Sequence, residues 1–254
     1  MTTSPEQPDR ALGAERPPVR SGRAGARRDI VAPEAGAERQ PGAPGEPVVT
    51  TSAERYVMGG GQASHLVVKE GDIFLYSDSL GQASGGENSV LGLYYQDTRY
   101  LSRLELTIAG RKPVLLSSTA ERGYAATIEL TNLESRTPDG RTLPQASVHV
   151  RRTRFVSDCV HEHLRVRNYN PMDVELVLDL HFDADFADLF EVRGQRRRKR
   201  GTRLPDRMSP DSLALPYLGL DEVPRETLVT FTDAPESIKQ GRARYRLRLA
   251  PGSG

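Results

Sequence analysis

The chain has 254 residues, 37% of them hydrophobic, and a formal net charge of +1. So small a charge offers no global field for nucleic acid or an anionic membrane surface. The single cysteine, Cys159, excludes an internal disulfide framework and suits a reducing cytoplasm. No apolar run approaches the ~20 residues that span a bilayer, and no N-terminal apolar signal region is present.

The first fifty residues hold eight of the eighteen prolines, and seven arginines there balance seven acids. Periodic apolar residues are almost absent. Such a segment cannot bury enough surface to offset its ordering entropy, so residues 1–55 are expected to be a disordered Pro/Ala/Gly/Arg-rich tail. A folded domain is expected over 56–254, entered through the Gly-rich "MGGGQASH". That stretch lacks the Gly-Lys-Ser/Thr ending of a phosphate-binding loop.

From residue 65 onward apolar residues alternate and turns recur at short intervals. "HLVVKEG" and "DIFLYSD" open the series. "RLELTIAGRKPVLL" sets Leu104, Leu106 and Ile108 on one face before a turn at Ala109-Gly110. "YAATIELTN", "ASVHVRRTRFV" and "HEHLRVRNY" follow. In "VELVLDLHFDADF" Val174, Leu176, Leu178, Leu180 and Phe182 oppose Glu175, Asp179, His181 and Asp183. "TLVTFTD" and "ARYRLRLAPG" complete the set. This period-2 pattern with one wet face marks antiparallel sheets. With no convincing helical stripe, the expected class is all-β, a two-sheet antiparallel β-sandwich of supersandwich type. One short helical turn is expected at "ADFADLF", placing Phe186, Leu189 and Phe190 together.

Four stretches suggest chemistry. In "FDADFADLFEVRG" the Cβ atoms of Asp183 and Asp185 would lie about 6.5–7 Å apart on a continuing strand. That distance fits either geometry of a glycosidase pair and identifies neither. Neighbours on one strand also flank a scissile bond badly, so the bland reading is a polar strand end paired with arginines. "CVHEHLR" places Cys159, His161 and His163 on one strand face, with His149 or His181 as conceivable further ligands. The scattered histidines favour an ordinary strand face, and no metal or cofactor is expected. "GQRRRKRG" packs five basic residues together without aromatic stacking partners, so a solvated loop paired with the preceding acids is favoured over nucleic-acid binding. "GLYYQDTRYLS" gathers Tyr94, Tyr95, Asp97, Arg99 and Tyr100. It reads either as a local Asp97–Arg99 ion pair or as a polar rim facing a sugar or another domain.

"VKEGDIFLYSDSLG", "GLYYQDTRYLSRLEL", "RKPVLLSS", "RRTRFVSD", "LRVRNYNPMDVELVLDLHFDADFADLFEVRG" and "YLGLD" occur in that order. Together they resemble the N-terminal domain of bacterial glycogen debranching enzymes of the amylo-α-1,6-glucosidase type, over about residues 65–252. The resemblance implies a β-sandwich that precedes a helical-barrel domain carrying the general acid and base. No such barrel follows in this sequence, so no catalytic residue is carried over. Tyr95, Asp97, Arg99, Asp183 and Asp185 fall in the marked motifs, and the resemblance implies that they either hold the sandwich together or face the substrate or the neighbouring domain. The expected function is a non-catalytic domain in cytoplasmic α-glucan metabolism, partnered by a glycosidase catalytic domain in the same or a neighbouring gene product. A stand-alone carbohydrate-binding or structural partner module is the alternative.

Overall fold

The computed structural model describes residues 65–86, 89–120 and 122–254. The tail expected over 1–55 and the entry to the domain lie outside the described residues. The described chain is almost wholly β, as the alternation predicts. A first antiparallel sheet is a meander of β1 (His65–Glu70), β2 (Ile73–Asp78), β3 (Gly92–Tyr95) and β4 (Thr98–Leu101). After β5 (Arg103–Ile108), β6 (Val114–Thr119), β7 (Ala125–Thr131) and a ribbon of β8 (Ser135–Arg136) with β9 (Thr142–Leu143), the chain forms the long hairpin of β10 (Val148–Val156) and β11 (Val160–Asn168). The second sheet has the order β11-β10-β7-β6.

β12 (Val174–Asp183) leads through a single helical turn, α1 (Leu189–Val192), to a small sheet. There β15 (Ser212–Leu218) pairs with β13 (Thr202–Arg203), β14 (Arg207–Ser209) and β16 (Pro224–Thr230). With β17 (Ser237–Lys239) and β18 (Arg242–Leu249), β12 and β5 complete a further sheet in the order β17-β18-β12-β5. By hydrogen-bond ladder the strands therefore divide more finely than the two stacked sheets expected from sequence. Close turns interrupt the ladders. At the end of β5, Ala109 and Gly110 both take left-handed backbone (φ 49° and 72°), a conformation that glycine adopts without steric cost.

The alternation of β12 places Val174, Leu176, Leu178, Leu180 and Phe182 in the main core with Leu104, Leu106 and Ile108 of β5. Each such side chain contributes roughly 1.5–3 kcal/mol by leaving water. Asp179, on the other face, is held by Arg244 of β18 at 2.7 and 2.8 Å. Two buried asparagines fasten the connections. Asn132 Oδ1 accepts from the Ser147 and Val148 amides, while Asn168 Nδ2 donates to the carbonyls of Met172, Leu249 and Ala250. Asn168 thereby joins the end of β11 to the end of β18.

The hairpin departs from simple polarity. Val148, Val150 and Val156 of β10 face the core, and Arg152 and Arg154 occupy the same face, fully buried. Glu162, opposite Arg154 on β11, answers both. Arg152 Nε donates to Glu162 Oε1 at 2.8 Å and Arg154 Nε to Oε2 at 2.6 Å. Arg152 Nη1 also reaches the Leu80 carbonyl at 3.1 Å, so the triad ties the second sheet to the connection after β2. Burial, then the charge of Arg154, lowers the Arg152 guanidinium to about 10 despite Glu162. Burial would raise the Glu162 carboxyl, but the charges and hydrogen bonds of Arg152 and Arg154 outweigh it and hold the group below the ordinary range. The outward residues His161, His163, Arg165 and Arg167 of β11 are exposed.

Glu162→Gln should lower the unfolding free energy by about 3–5 kcal/mol, because it strands two buried guanidinium groups. Replacing the triad together, as Arg152→Met, Arg154→Met and Glu162→Leu, should leave stability equal or higher. Because the folded Glu162 carboxyl lies below its unfolded value, its contribution is complete above about pH 5 and is lost as pH falls through and below about 4. Urea midpoints of wild type and Glu162→Gln should therefore converge in acid.

Candidate functional site

β12 ends at Asp183, and the chain leaves the sheet there. The Asp183 carboxylate accepts from the Ala184 amide at 2.8 Å and points to solvent, its side chain 65% exposed. Asp185 turns the other way, toward Arg99 of β4. The two carboxylates do not share a strand face, because the strand ends between them. Phe186 then takes left-handed backbone (φ 50°) and buries its ring. Asp188 caps α1, its Oδ1 accepting from the Phe190 and Glu191 amides at 2.8 and 2.9 Å, while Glu191 accepts from the Asp188 amide. This reciprocal cap explains why so short a turn is helical. Leu189 is half-buried beside Tyr94, but Phe190 is 61% exposed, so the trio expected at helical spacing does not pack together.

Arg99 is the centre of the arrangement. It is buried, and its guanidinium forks onto Asp185, with Nε to Oδ1 at 3.1 Å and Nη2 to Oδ2 at 2.5 Å. Nη1 donates to the carbonyls of Ser89 and Leu91, the latter at 3.2 Å. Burial would lower the Arg99 pKa, but the Asp185 hydrogen bonds and charge prevail and raise it. Backbone pairing adds to the join. The Arg99 amide donates to the Ala187 carbonyl at 2.8 Å, and the Leu189 amide to the Asp97 carbonyl at 3.0 Å. Tyr94 stacks on Phe74 and donates to the Val90 carbonyl at 2.8 Å. Burial raises its phenol pKa.

The remaining candidates lie around this pair. Asp97 is exposed in the turn between β3 and β4 and leaves Arg99 to Asp185. Tyr95 is 45% exposed, its ring 6.1 Å from that of Tyr100. The basic loop folds back on the acidic turn. Arg197 pairs with Asp188, and Arg200 Nε lies 2.9 Å from Glu191 Oε1. Arg200 Nη2 also donates to the Asp185 carbonyl at 2.9 Å. Arg203 bonds the carbonyls of Ala184 and Pro216 and the Asp206 carboxylate. Arg196, Arg198 and Lys199 stay exposed.

Between this loop and the β15–β16 turn lies a cleft of about 240 Å³. Sequence reasoning did not find it. Its aromatic wall is Phe186 stacked on Tyr217, ring centres 4.8 Å apart, with Tyr100 edge-on to Phe186 at 5.3 Å. Arg200, Arg225 and Asp221 supply polar groups. Arg225 forks onto Asp221 at 2.9 and 2.7 Å, and that hydrogen bonding holds the Asp221 carboxyl far below its ordinary range.

A family model described as the N-terminal domain of (some) glycogen debranching enzymes matches residues 68–254. The chain belongs to this family. A comparison with curated proteins finds no match. In this debranching-enzyme N-terminal domain the matched span takes in Arg99, Asp185, the basic loop and the cleft, leaving only the first half of β1 outside among the described strands. No helix among the described residues is long and apolar enough to cross a membrane.

One glycine guards the central pair. A Cβ on Gly92 would stand 2.5 Å from Arg99 Cδ and 2.4 Å from the Leu101 carbonyl oxygen. Gly92→Ala should therefore destabilise the domain by about 1–3 kcal/mol through overpacking. Asp185→Ala should cost about 2–3 kcal/mol by leaving a buried guanidinium short of acceptors. Arg99→Lys should recover little, since an ammonium cannot reproduce the planar fork. Urea unfolding of the three variants checks these values.

Proposed function

We propose that this domain is a non-catalytic part of cytoplasmic α-glucan metabolism, supporting a helical-barrel glycosidase domain rather than breaking glycosidic bonds itself. The observation that carries this reading is the engagement of the acidic motif in structure. Asp185 neutralises Arg99, Asp188 caps a helix, and Glu191 closes that cap and pairs with Arg200. Hydrolysis of a glycosidic bond needs two carboxyl groups facing one another across a space of roughly 5–10 Å, one of them available as an acid. Asp183 is the exposed carboxylate of the motif, accepting from the Ala184 amide and lying 4.0 Å from Arg203, and the other carboxylates of the motif are taken up as just described. Exposed Tyr95 and Phe190 beside the acidic turn suit an interdomain surface.

The cleft favours a second reading, carbohydrate binding. An aromatic wall beside paired guanidinium and carboxylate groups is the mixture that recognises a sugar ring and its hydroxyls. Calorimetry with glycogen and short α-glucans tests it, and binding should weaken in Tyr217→Ala if the cleft is used.

For the leading reading, the purified chain should release no glucose from a limit dextrin. The Asp183→Asn and Asp185→Asn variants should match wild type in that assay. Glucose release that disappears in either variant would overturn the proposal.

A further inference from the structure

The β10–β11 hairpin closes through Ser157, Asp158 and Cys159, far along the strands from the end that Asn168 fastens. Around this tip the side chains of Asp158, Cys159 and His161 bring a carboxylate oxygen, a thiol sulfur and an imidazole nitrogen within 4.8 Å of one another. Cys159 Sγ and His161 Nε2 are 3.3 Å apart, and Asp158 Oδ1 lies 4.0 Å from the same nitrogen. Tetrahedral coordination with metal–ligand bonds of about 2.0–2.3 Å sets ligand atoms roughly 3.3–3.7 Å apart. The donors therefore need only small movements to share one ion.

Two further contacts hold the arrangement. Phe155, across the hairpin from His161, stacks on the imidazole with ring centres 4.3 Å apart and planes 11° apart. That contact orients the ring so that Nε2 looks toward Cys159. Ser157 Oγ donates to Asp158 Oδ1 at 2.7 Å and lies 3.4 Å from His161 Nε2. The amide of Ser157 donates to the Cys159 carbonyl at 3.0 Å, which fixes the turn itself. All three donors come from four consecutive positions, so closing the site orders very little additional chain.

We propose that Asp158, Cys159 and His161 form a surface site for a borderline-soft divalent transition metal, with zinc as the fitting ion. A thiolate and an imidazole select zinc and its neighbours over calcium and magnesium, which take oxygen ligands. Three protein donors at an exposed tip leave the fourth position to water. Cys159 binds as thiolate, so its proton passes to solvent when the metal enters. The site is distinct from the Arg99–Asp185 cluster and from the cleft, and it stands whichever reading of the domain's function holds.

The test uses the untagged 254-residue chain with Cys159 kept reduced. Zinc added in competition with a chromophoric chelator should bind one ion per chain, and cobalt(II) should give a thiolate-to-metal charge-transfer absorption. Cys159→Ser should abolish that absorption. Cys159→Ser and His161→Ala should each weaken zinc binding by at least the ~10–100-fold that outer-shell changes cost at metal sites. His149→Gln, at the far end of β10 where the ring bonds Glu129, should bind as wild type does. All of these positions are at least partly exposed, and matching far-ultraviolet circular dichroism establishes that each variant is folded. Absence of the cobalt absorption in wild type, zinc affinity unchanged in both ligand variants, or an equal loss in His149→Gln overturns the proposal.

Discussion

A guanidinium removed from water must find acceptors for a rigid plane of donors, and this requirement at Arg99 organises much of the domain around it. Its fork claims Asp185, while its remaining donors claim the carbonyls of Ser89 and Leu91. Those partners come from the segment before β3 and from the turn after β12, so one side chain holds together pieces far apart in the chain. The backbone bridge between Thr98 and Asp188 and the capped helical turn follow from that join. The basic loop completes the arrangement, as Arg200 bonds the Asp185 carbonyl and Arg203 that of Ala184. The cleft beside Tyr217 is bordered by the Arg197–Asp188 and Arg200–Glu191 pairs and by the Arg225–Asp221 pair.

The same device recurs at the hairpin, with a different balance. Arg152 and Arg154 bring two positive charges to one carboxylate, so the buried group keeps a net charge and Glu162 is indispensable to it. Buried ion pairs of this kind add little stability over apolar residues of the same size. What they confer here is position: the connection after β2 is seated on the second sheet through Arg152 and Leu80. In a domain whose sheets are of two to four strands and whose connections are many, such directional contacts place loops that apolar packing alone would leave free to slide.

Much of the strand pattern was legible from sequence because a one-wet-face strand writes its fold at period two. β12 and β18 follow their alternation almost residue for residue, and the Ala109-Gly110 turn falls where the breaking residues stand. The identity of Arg99's partner was not legible, since Asp97 is near in sequence and Asp185 is 86 positions away. Local spacing carries no information about such a contact. The reversal between Asp183 and Asp185 depends on where β12 ends, which alternation alone does not mark. For Arg152 and Arg154 a signal was present: the parity of Val148, Val150 and Val156 runs straight through them, and Glu162 has the matching parity on the next strand. The cleft left no local signature, because Phe186, Tyr217 and Arg225 meet only after the small sheet has formed.

The second sheet ends on one side in β11 and on the other in β6, and a sheet edge invites a stranger's strand to add to it. On β11 the outward row includes Arg165 and Arg167, whose like charges disfavour pairing with a second copy of the same edge. On β6 the register slips between Leu115 and Ser117, bending an edge that would otherwise lie flat. β11 is nine residues long, so its open edge is long enough to accept a foreign strand. Arg165 and Arg167 on the solvent face of this hairpin thus carry like charge along an edge where a second copy would have to pair.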